Sequence, residues 1–383
     1  MSDILVYNNW DKLEEIWLGD TYPAHFYDDF DPEVRDNFYK ITEYTKTDLD
    51  VIQKKFEEFG VTVVRPNFKD KSNYLHPRAN KLLKPPIAPR DHNAVIADTL
   101  IYNEGFGNVY TEMASKYKSH ARPQDDFIVH GAGIVKLGRD IIFDFPSLTG
   151  RTKKEEYIDA VFEHYTLFLK FCENYIKDYR IHYGANGGHT DGCFMPLRPG
   201  LVLTTTYWKD YAITLPKDWQ NIKLAHPTFS KRNNPVPRTN YKWGFPQFED
   251  SRLIPVFNKY IEKFCSDWIG NYKETFFEVN LIMIDENNMV CLDKEDGSRD
   301  PLFEQFNKQG INVHVVPWRT RTFWDGGLHC ITLDVRRKAV KKDYFPERGD
   351  NGIKTIMSRY LTTTDMTLFN NQYNQWLKTK GLR

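Results

Sequence analysis

The chain has 383 residues with 52 basic and 52 acidic side chains, and its zero net charge argues against a general nucleic-acid binder, which would normally carry a basic excess. Its five cysteines are odd in number and form no CxxC pair, which argues against a disulfide framework or thiolate zinc cage and favours a reducing compartment. Because the N-terminus shows no secretory signal and no apolar run is long enough for a membrane span, we expect a cytoplasmic protein.

Helical patterns, in which apolar residues lie three and four positions apart, occur in four segments. They cover residues 48–60, 152–180, 252–272 and 301–310. The first and the last end on Gly60 and Gly310, which predicts C-cap glycines, and each leads into a β-prone run.

A β-prone run, a turn-rich centre and a second β-prone run recur along the chain, which predicts a series of hairpins. The hairpins begin at Asn93, Gly133, Cys193 and Asn280, and a further strand begins at Cys330. Helices and one more strand fill the gaps, and no Pro/Ser/Gly-rich linker interrupts the chain. We therefore predict an α/β protein that forms a single domain over residues 1–383.

Each predicted unit has a polar residue at or just before its first strand. These residues are Asp91, His130, His189 with Asp191, Asn280 and Cys330. If the units pack around a common centre, the equivalent positions converge there. A thiol, imidazoles and carboxylates would then meet at one end of the strands.

Cys330 is the candidate nucleophile, since it lies in "WDGGLHCITLDVRR" directly before a strand-like run. The alternative is a small buried hydrophobe, the usual role of a free cysteine. We interpret the preceding glycines, Gly326 and Gly327, as a way for another molecule to come close. His189 also follows a glycine pair and has Asp191 two residues on. A Cys–His couple is the minimum for thiol catalysis, because a free thiol is mostly protonated at neutral pH.

Several other charged residues are interpreted as structural. Asp140 occupies a hairpin turn, where Gly and Asp are expected on conformational grounds. Asp334, Arg336 and Arg337 are expected to form a salt-bridged strand end.

Residues of the same types could also bind a metal ion. The candidate ligands are His130, His189, Asp191, His329 and Cys330. No HxxxH or HExxH spacing occurs, and His329 and Cys330 as strand neighbours would point to opposite faces. We therefore expect neither a metal nor another cofactor.

Three motifs carry a family resemblance. "GGLHCITLDVRR" resembles the nucleophile motif of glycine amidinotransferase, "HTDGCFMPLRPGLVL" its His-x-Asp-x-x-Phe stretch, and "PRDHNAVIADTLI" its Pro-Arg-Asp stretch. The similarity runs in order from residue 7 to residue 338. It implies the fold of the guanidino-group-modifying superfamily, a five-fold pseudosymmetric α/β propeller (pentein) of ββαβ units.

The resemblance also implies site roles. Cys330 becomes the nucleophile, His189 the general acid and base, and Asp91 and Asp191 the carboxylates that hold the donor guanidinium through forked hydrogen bonds. The implied reaction moves the amidino group of L-arginine to an acceptor amine through an amidino-cysteine. The resemblance implies these small molecules as partners. The charge balance and the lack of a long apolar run lead us to expect no nucleic acid and no membrane, and the sequence leaves a homodimer open.

Two departures from the family pattern affect this expectation. The family places a carboxylate that orients the histidine where this chain has "HGAG", so His130 stands at an acid's position and is included among the catalytic candidates. His130 itself, or a nearby acid such as Asp125 or Asp126, is a candidate substitute. The arginine that binds the acceptor's carboxylate falls near Trp208, which favours an acceptor other than glycine.

Three alternatives to amidino transfer stay open on the sequence. The same nucleophile could use water as acceptor, giving a guanidino hydrolase or deiminase. The altered "HGAG" could mark a non-catalytic pseudoenzyme that only binds guanidino ligands. A metal-dependent hydrolase is the most distant of the three.

Overall fold

A computed structural model of the chain gives the architecture. It describes residues 3–76, 81–103, 109–123, 127–144, 154–184, 189–205, 219–224, 256–257, 259–260, 263, 279–292, 302–324, 326–357 and 365–382. Among the described helices, none combines the length and the apolar composition that crossing a membrane requires.

The described helices include three of the four predicted ones, one of them longer than predicted, and three others that the sequence patterns did not predict. They are α1 (Pro32–Glu58), α2 (Val109–Ala114), α3 (Lys154–Phe171), α4 (Leu302–Lys308), α5 (Arg321–Trp324) and α6 (Met366–Thr379). Helix α1 begins well before residue 48, because Val34, Phe38 and Ile41 extend its buried apolar face at helical spacing. Gly60 and Gly310 have φ of +75° and +73°, which confirms both as C-terminal glycines. The predicted helix 252–272 lies almost entirely outside the described residues.

The strands include both strands of all four predicted hairpins. They are β1 (Leu13–Leu18), β2 (Thr62–Val64), β3 (Asn93–Ile96), β4 (Thr99–Tyr102), β5 (His120–Ala121), β6 (Ile134–Leu137), β7 (Asp140–Asp144), β8 (Arg180–Gly184), β9 (Phe194–Arg198), β10 (Leu201–Thr205), β11 (Gln220–Leu224), β12 (Ile282–Asp285), β13 (Asn288–Leu292), β14 (Asn312–Val316), β15 (Thr332–Arg337) and β16 (Gly352–Met357). The hairpin prediction is therefore confirmed at each of its four positions.

The described strands form five small sheets with one shared pattern, in which a middle strand has an antiparallel neighbour on one side and a parallel neighbour on the other. The strand orders are β3-β4-β5, β6-β7-β8, β9-β10-β11, β12-β13-β14 and β15-β1-β2, and β16 adds to β8. Helices α1, α2, α3 and α4 occupy the connection between the second and third strands of their sheets. In the third sheet this connection falls within residues 206–218, outside the described part of the chain.

The fifth sheet combines the two ends of the sequence. β15 pairs antiparallel with β1, with Trp17 opposite Leu333, and β1 pairs in parallel with β2. The predicted strand that begins near Cys330 therefore pairs with a strand about 300 residues earlier in the chain.

Short 3-10 turns precede three of the first strands. Pro89–Asp91 leads into β3, Gly131–Gly133 into β6 and Thr190–Gly192 into β9, and the middle turn contacts both of the others. Close packing of these turns requires small residues, since a Cβ on Gly131 would lie 2.1 Å from the carbonyl oxygen of Asn93. The turns bring their polar side chains to one end of the strands, beneath which three apolar clusters form the core.

Candidate active site

Cys330 lies in a tight turn directly before β15. The amide of Ile331 donates to the carbonyl of Gly327, and Arg90 Nε donates to the carbonyls of His329 (2.8 Å) and Thr332 (3.0 Å). Arg90 thus ties the Pro-Arg-Asp turn of the first sheet to the cysteine turn of the fifth. Cys330 is fully buried.

The expectation that His329 and Cys330 point to opposite faces is wrong. Both residues precede β15 and form a turn, so the alternation of a strand does not apply to them. His329 Nδ1 lies 2.7 Å and Cys330 Sγ 3.5 Å from the same oxygen, Oδ2 of Asp191.

Asn280 holds Cys330 by both ends of its side-chain amide. The backbone amide of Cys330 donates to Asn280 Oδ1 at 3.0 Å, and Asn280 Nδ2 donates to Cys330 Sγ at 3.1 Å. A Cβ on Gly327 would lie 2.6 Å from the Asn280 side chain. Gly327 therefore makes room for Asn280, which corrects the interpretation that this glycine admits another molecule.

Asp91, His189 and Cys330 converge as the sequence predicts. One donor atom from each lies within 4.8 Å of the others, and His189 Nδ1 is 3.9 Å from Asp91 Oδ1. The side chains of His189 and Asp91 are about one-fifth exposed, so this side of the cluster is open to solvent. A thiol, an imidazole and a carboxylate are also the donor types that zinc accepts, so this cluster is the place where the described residues could hold a metal ion.

Asp191 lies on the buried side of the sulfur. Burial favours the neutral acid, but the hydrogen bond from His329 and nearby positive charge outweigh it, so the pKa of Asp191 lies below its ordinary value. Burial, followed by the charge of Arg90, lowers the pKa of His329 to about 4. At neutral pH, His329 is therefore neutral and Asp191 is ionised. The Nδ1–H group of His329 donates a hydrogen bond to the Asp191 carboxylate. Asp191 Oδ1 is buried and has no hydrogen-bond partner among the residues that the structure describes.

Comparisons with known proteins agree with this arrangement. No protein-family profile matches the chain. The chain is 21% identical over 393 residues to inosamine-phosphate amidinotransferase 1 of Streptomyces griseus, spanning 88% of this chain and 98% of the relative. It is 22% identical over 395 residues to the mitochondrial glycine amidinotransferase of Xenopus laevis, spanning 88% and 84%. The solved structure of SxtG, an amidinotransferase of Microseira wollei, superposes with a TM-score of 0.59 at 20% identity, covering 89% and 99%.

Over most of its length the chain is similar to amidinotransferases, which confirms the resemblance seen in the sequence motifs. These relatives support an amidinotransferase enzyme, as the sequence resemblance implied. The likeness to the solved structures shows a shared mixed α/β fold.

His130 lies where the sequence resemblance implies a carboxylate. Its Nδ1 lies 3.0 Å from the backbone carbonyl of Asp91, and burial followed by the proximity of His189 lowers the pKa of His130 to about 4. A neutral imidazole at this position carries no negative charge with which to orient a protonated histidine. The other candidates for that role, Asp125 and Asp126, lie outside the described residues, as do Trp208 and the glycine pair before His189.

The residues interpreted as structural are confirmed as such. Asp140 is fully buried and bonds Arg180, His182 and Arg348, which attaches the segment after β15 to the second sheet. Asp334 binds Arg90 and Arg337 near the start of β15, and Arg336 pairs with Glu14 and Glu15 on the adjacent β1.

Proposed function

We propose that this amidinotransferase takes the amidino group of L-arginine onto Cys330 and passes it to an acceptor amine other than glycine. The observation that carries the proposal is the environment of one sulfur atom. One donor atom of Asp91 and one of His189 lie within 4.8 Å of Cys330 Sγ, and Asp191 Oδ2 lies 3.5 Å from it. A nucleophile, a proton carrier and two carboxylates thus stand within reach of one small cation.

The two carboxylates suit a guanidinium donor. A guanidinium is planar and permanently charged, and it presents paired N–H groups that carboxylates bind in forked geometry. Asp191 Oδ1 supports this role, because a buried carboxylate oxygen without a partner among the described residues gains most from a cationic donor. Asp91 would bind the guanidinium from the more open side.

The bound cation would also promote ionisation of the thiol. Cys330 Sγ donates a long hydrogen bond to Asp191 Oδ2, which favours the protonated thiol. A guanidinium neutralises that carboxylate and adds a positive charge next to the sulfur, which favours the thiolate.

The reaction then proceeds by nucleophilic catalysis in two halves. His189 takes the proton of the Cys330 thiol, and the thiolate attacks the central guanidinium carbon. His189 then gives this proton to the departing amine, so that ornithine leaves and an amidino-cysteine remains. His189 next removes a proton from the acceptor amine, which attacks the same carbon and displaces the Cys330 thiolate. The fixed carboxylates contribute mainly by orienting the donor.

We infer that the five sheets surround this site as a five-fold pseudosymmetric α/β propeller of ββαβ units, forming one catalytic domain over residues 1–383. The shared strand order of the sheets and the contacts among the three 3-10 turns support this arrangement. The closing of the fifth sheet by β1 and β15 supports it further.

Product analysis tests the proposed reaction. The purified protein is incubated with arginine and a panel of primary amines that includes glycine and lysine, and ornithine, citrulline and guanidino products are measured. We expect amine-dependent ornithine and a matching guanidino product, with glycine a poor acceptor. Citrulline formed without an amine would instead identify a hydrolase, and arginine binding without any product would identify a non-catalytic protein.

A further inference from the structure

Asn280 occupies the position in the fourth sheet that corresponds to Asp91 in the first and Asp191 in the third, just before the first strand of its hairpin. Its side chain is buried and makes hydrogen bonds to both the amide and the sulfur of Cys330. The role of this amide depends on which of its two ends faces the sulfur.

The backbone of Cys330 fixes the orientation of the Asn280 amide. A backbone N–H can only donate, so the side-chain atom 3.0 Å from it must be the oxygen. The NH₂ group therefore faces Cys330 Sγ, at 3.1 Å. A donor at that distance stabilises a thiolate more than a thiol, because hydrogen bonds to charged acceptors are the stronger ones.

The sulfur consequently lies between two opposing neighbours. Asp191 Oδ2 accepts a hydrogen bond from it and favours the protonated thiol, while Asn280 Nδ2 donates to it and favours the thiolate. A second carboxylate in place of Asn280 would leave the sulfur between two negative charges. The neutral amide provides a donor for the sulfur without adding charge.

We propose that Asn280 is a further catalytic residue, which stabilises the Cys330 thiolate by donating a hydrogen bond from Nδ2 while its Oδ1 holds the cysteine amide. The proposal rests on the proposed function, in which Cys330 attacks the guanidinium carbon. Gly327 is required for this arrangement, because a side chain at residue 327 would displace the Asn280 amide.

Two substitutions at Asn280 separate this role from a purely structural one. Asn280→Asp keeps an oxygen acceptor for the Cys330 amide but replaces the donor to sulfur with a carboxylate. Asn280→Ala removes both hydrogen bonds. Gly327→Ala keeps Asn280 but displaces its side-chain amide from Cys330. Asn221→Asp is the matched control, since Asn221 lies on β11 and uses its side-chain oxygen to accept from Thr204.

The first readout is the pKa of the Cys330 thiol, measured without substrate. The ultraviolet absorbance of the thiolate is titrated against pH for each protein and corrected with the same protein carrying Cys330→Ala. We expect Asn280→Asp, Asn280→Ala and Gly327→Ala to raise the thiol pKa by about one unit or more, a tenfold change in the ionisation constant. Asn221→Asp should leave it unchanged.

The second readout is the rate at which arginine modifies Cys330 as a function of pH. We expect the Asn280→Asp rate to fall about tenfold at neutral pH and to recover at alkaline pH, as a raised thiol pKa requires. An unchanged thiol pKa in both Asn280 variants would overturn the proposal. If the wild-type protein forms no arginine adduct, the proposed function fails, and the substrate-free titration still decides the role of Asn280.

Discussion

Two buried carboxylates near the start of β15 have opposite surroundings. Asp334 binds Arg90 at 2.8 Å and Arg337 at 3.0 Å, and Lys136 Nζ lies 3.5 Å from it. Asp191 is equally buried, but its described hydrogen-bond partners are His329 and Cys330, both on one oxygen. Three cationic side chains thus surround Asp334. Among the described residues, no cationic side chain hydrogen-bonds Asp191.

The difference separates a structural carboxylate from one that can receive a ligand. The surrounding cations hold the pKa of Asp334 well below its ordinary value against the effect of burial, while burial lowers the pKa of Lys136 to about 8. Because three cationic side chains already neutralise Asp334, this carboxylate does not need a further cation. Asp191 retains an oxygen whose natural partner is a positively charged donor, and the folded chain brings it beside a thiol.

The largest effect is expected at the structural carboxylate. Asp334→Asn should lower the free energy of unfolding by about 3–5 kcal/mol, because it leaves buried cations without their counter-charge. Urea denaturation measures the change. Glu112→Gln, which breaks the exposed pair with Lys69, is the control and should cost less than about 1 kcal/mol. Equal losses in the two variants would contradict a structural role for Asp334.

At Asp191 the expected loss is in ligand binding. Asp191→Asn should weaken arginine binding about a hundredfold, since it removes the charge that receives the guanidinium. Stability should change little, because the amide oxygen still accepts from His329. Calorimetric titration with arginine, beside urea denaturation of the same variant, measures both quantities. Unaltered arginine affinity would rule out Asp191 as a guanidinium ligand.

Acid should destabilise the protein through its buried imidazoles, including the one that holds Asp191. Burial lowers the pKa of His329, His130 and His164 to about 4, below the value of about 6.5 expected in the unfolded chain. Between these two pKa values the unfolded chain therefore binds more protons than the folded chain. The stability that is present above pH of about 6.5 is lost as the pH falls toward about 4. For each histidine, the loss in the free energy of unfolding is about 1.4 kcal/mol per unit of difference between the folded and unfolded pKa.

Urea denaturation at neutral and mildly acidic pH measures this loss. His164→Gln removes one of these imidazoles away from the cysteine and should reduce the difference in unfolding free energy between the two conditions. His120→Gln makes the same replacement at an exposed histidine and is the control for the substitution itself. The account of the imidazoles fails if His164→Gln has the same acid sensitivity as the parent protein.

His130 should have the smallest effect of the four. Its described hydrogen bond is to a backbone carbonyl, and it is neutral at neutral pH, so His130→Asn should reduce the rate of arginine modification less than about tenfold. The initial rate of adduct formation measures this. A loss as large as that of His189→Asn would instead give His130 a direct part in proton transfer.

Local patterns explain why the hairpins and most of the site could be predicted. Alternating apolar residues and turn glycines lie within a dozen positions of one another, and Asp91, His189 and Cys330 each occur in a recognisable motif at a hairpin start. The pairing of β1 with β15 joins residues about 300 positions apart, and no local sequence pattern predicts it.

The contacts around the nucleophile required the folded structure. Asn280 was placed correctly at a hairpin start, but only the folded chain shows both its hydrogen bonds to Cys330. His329 was placed on the wrong face because a strand was assumed two residues too early. The role of Gly327 depends on the Asn280 side chain, which comes from a different part of the chain.

Intact-protein mass spectrometry after mixing with arginine, in the absence of an acceptor, tests the central claim most directly. The account predicts a mass increase of about 42 Da, corresponding to a CN₂H₂ group on the nucleophile, in the wild-type protein and none in Cys330→Ala. Addition of a competent acceptor amine should remove the adduct. Arginine turnover with an unmodified Cys330, or an equal mass increase in Cys330→Ala, would contradict transfer through this cysteine.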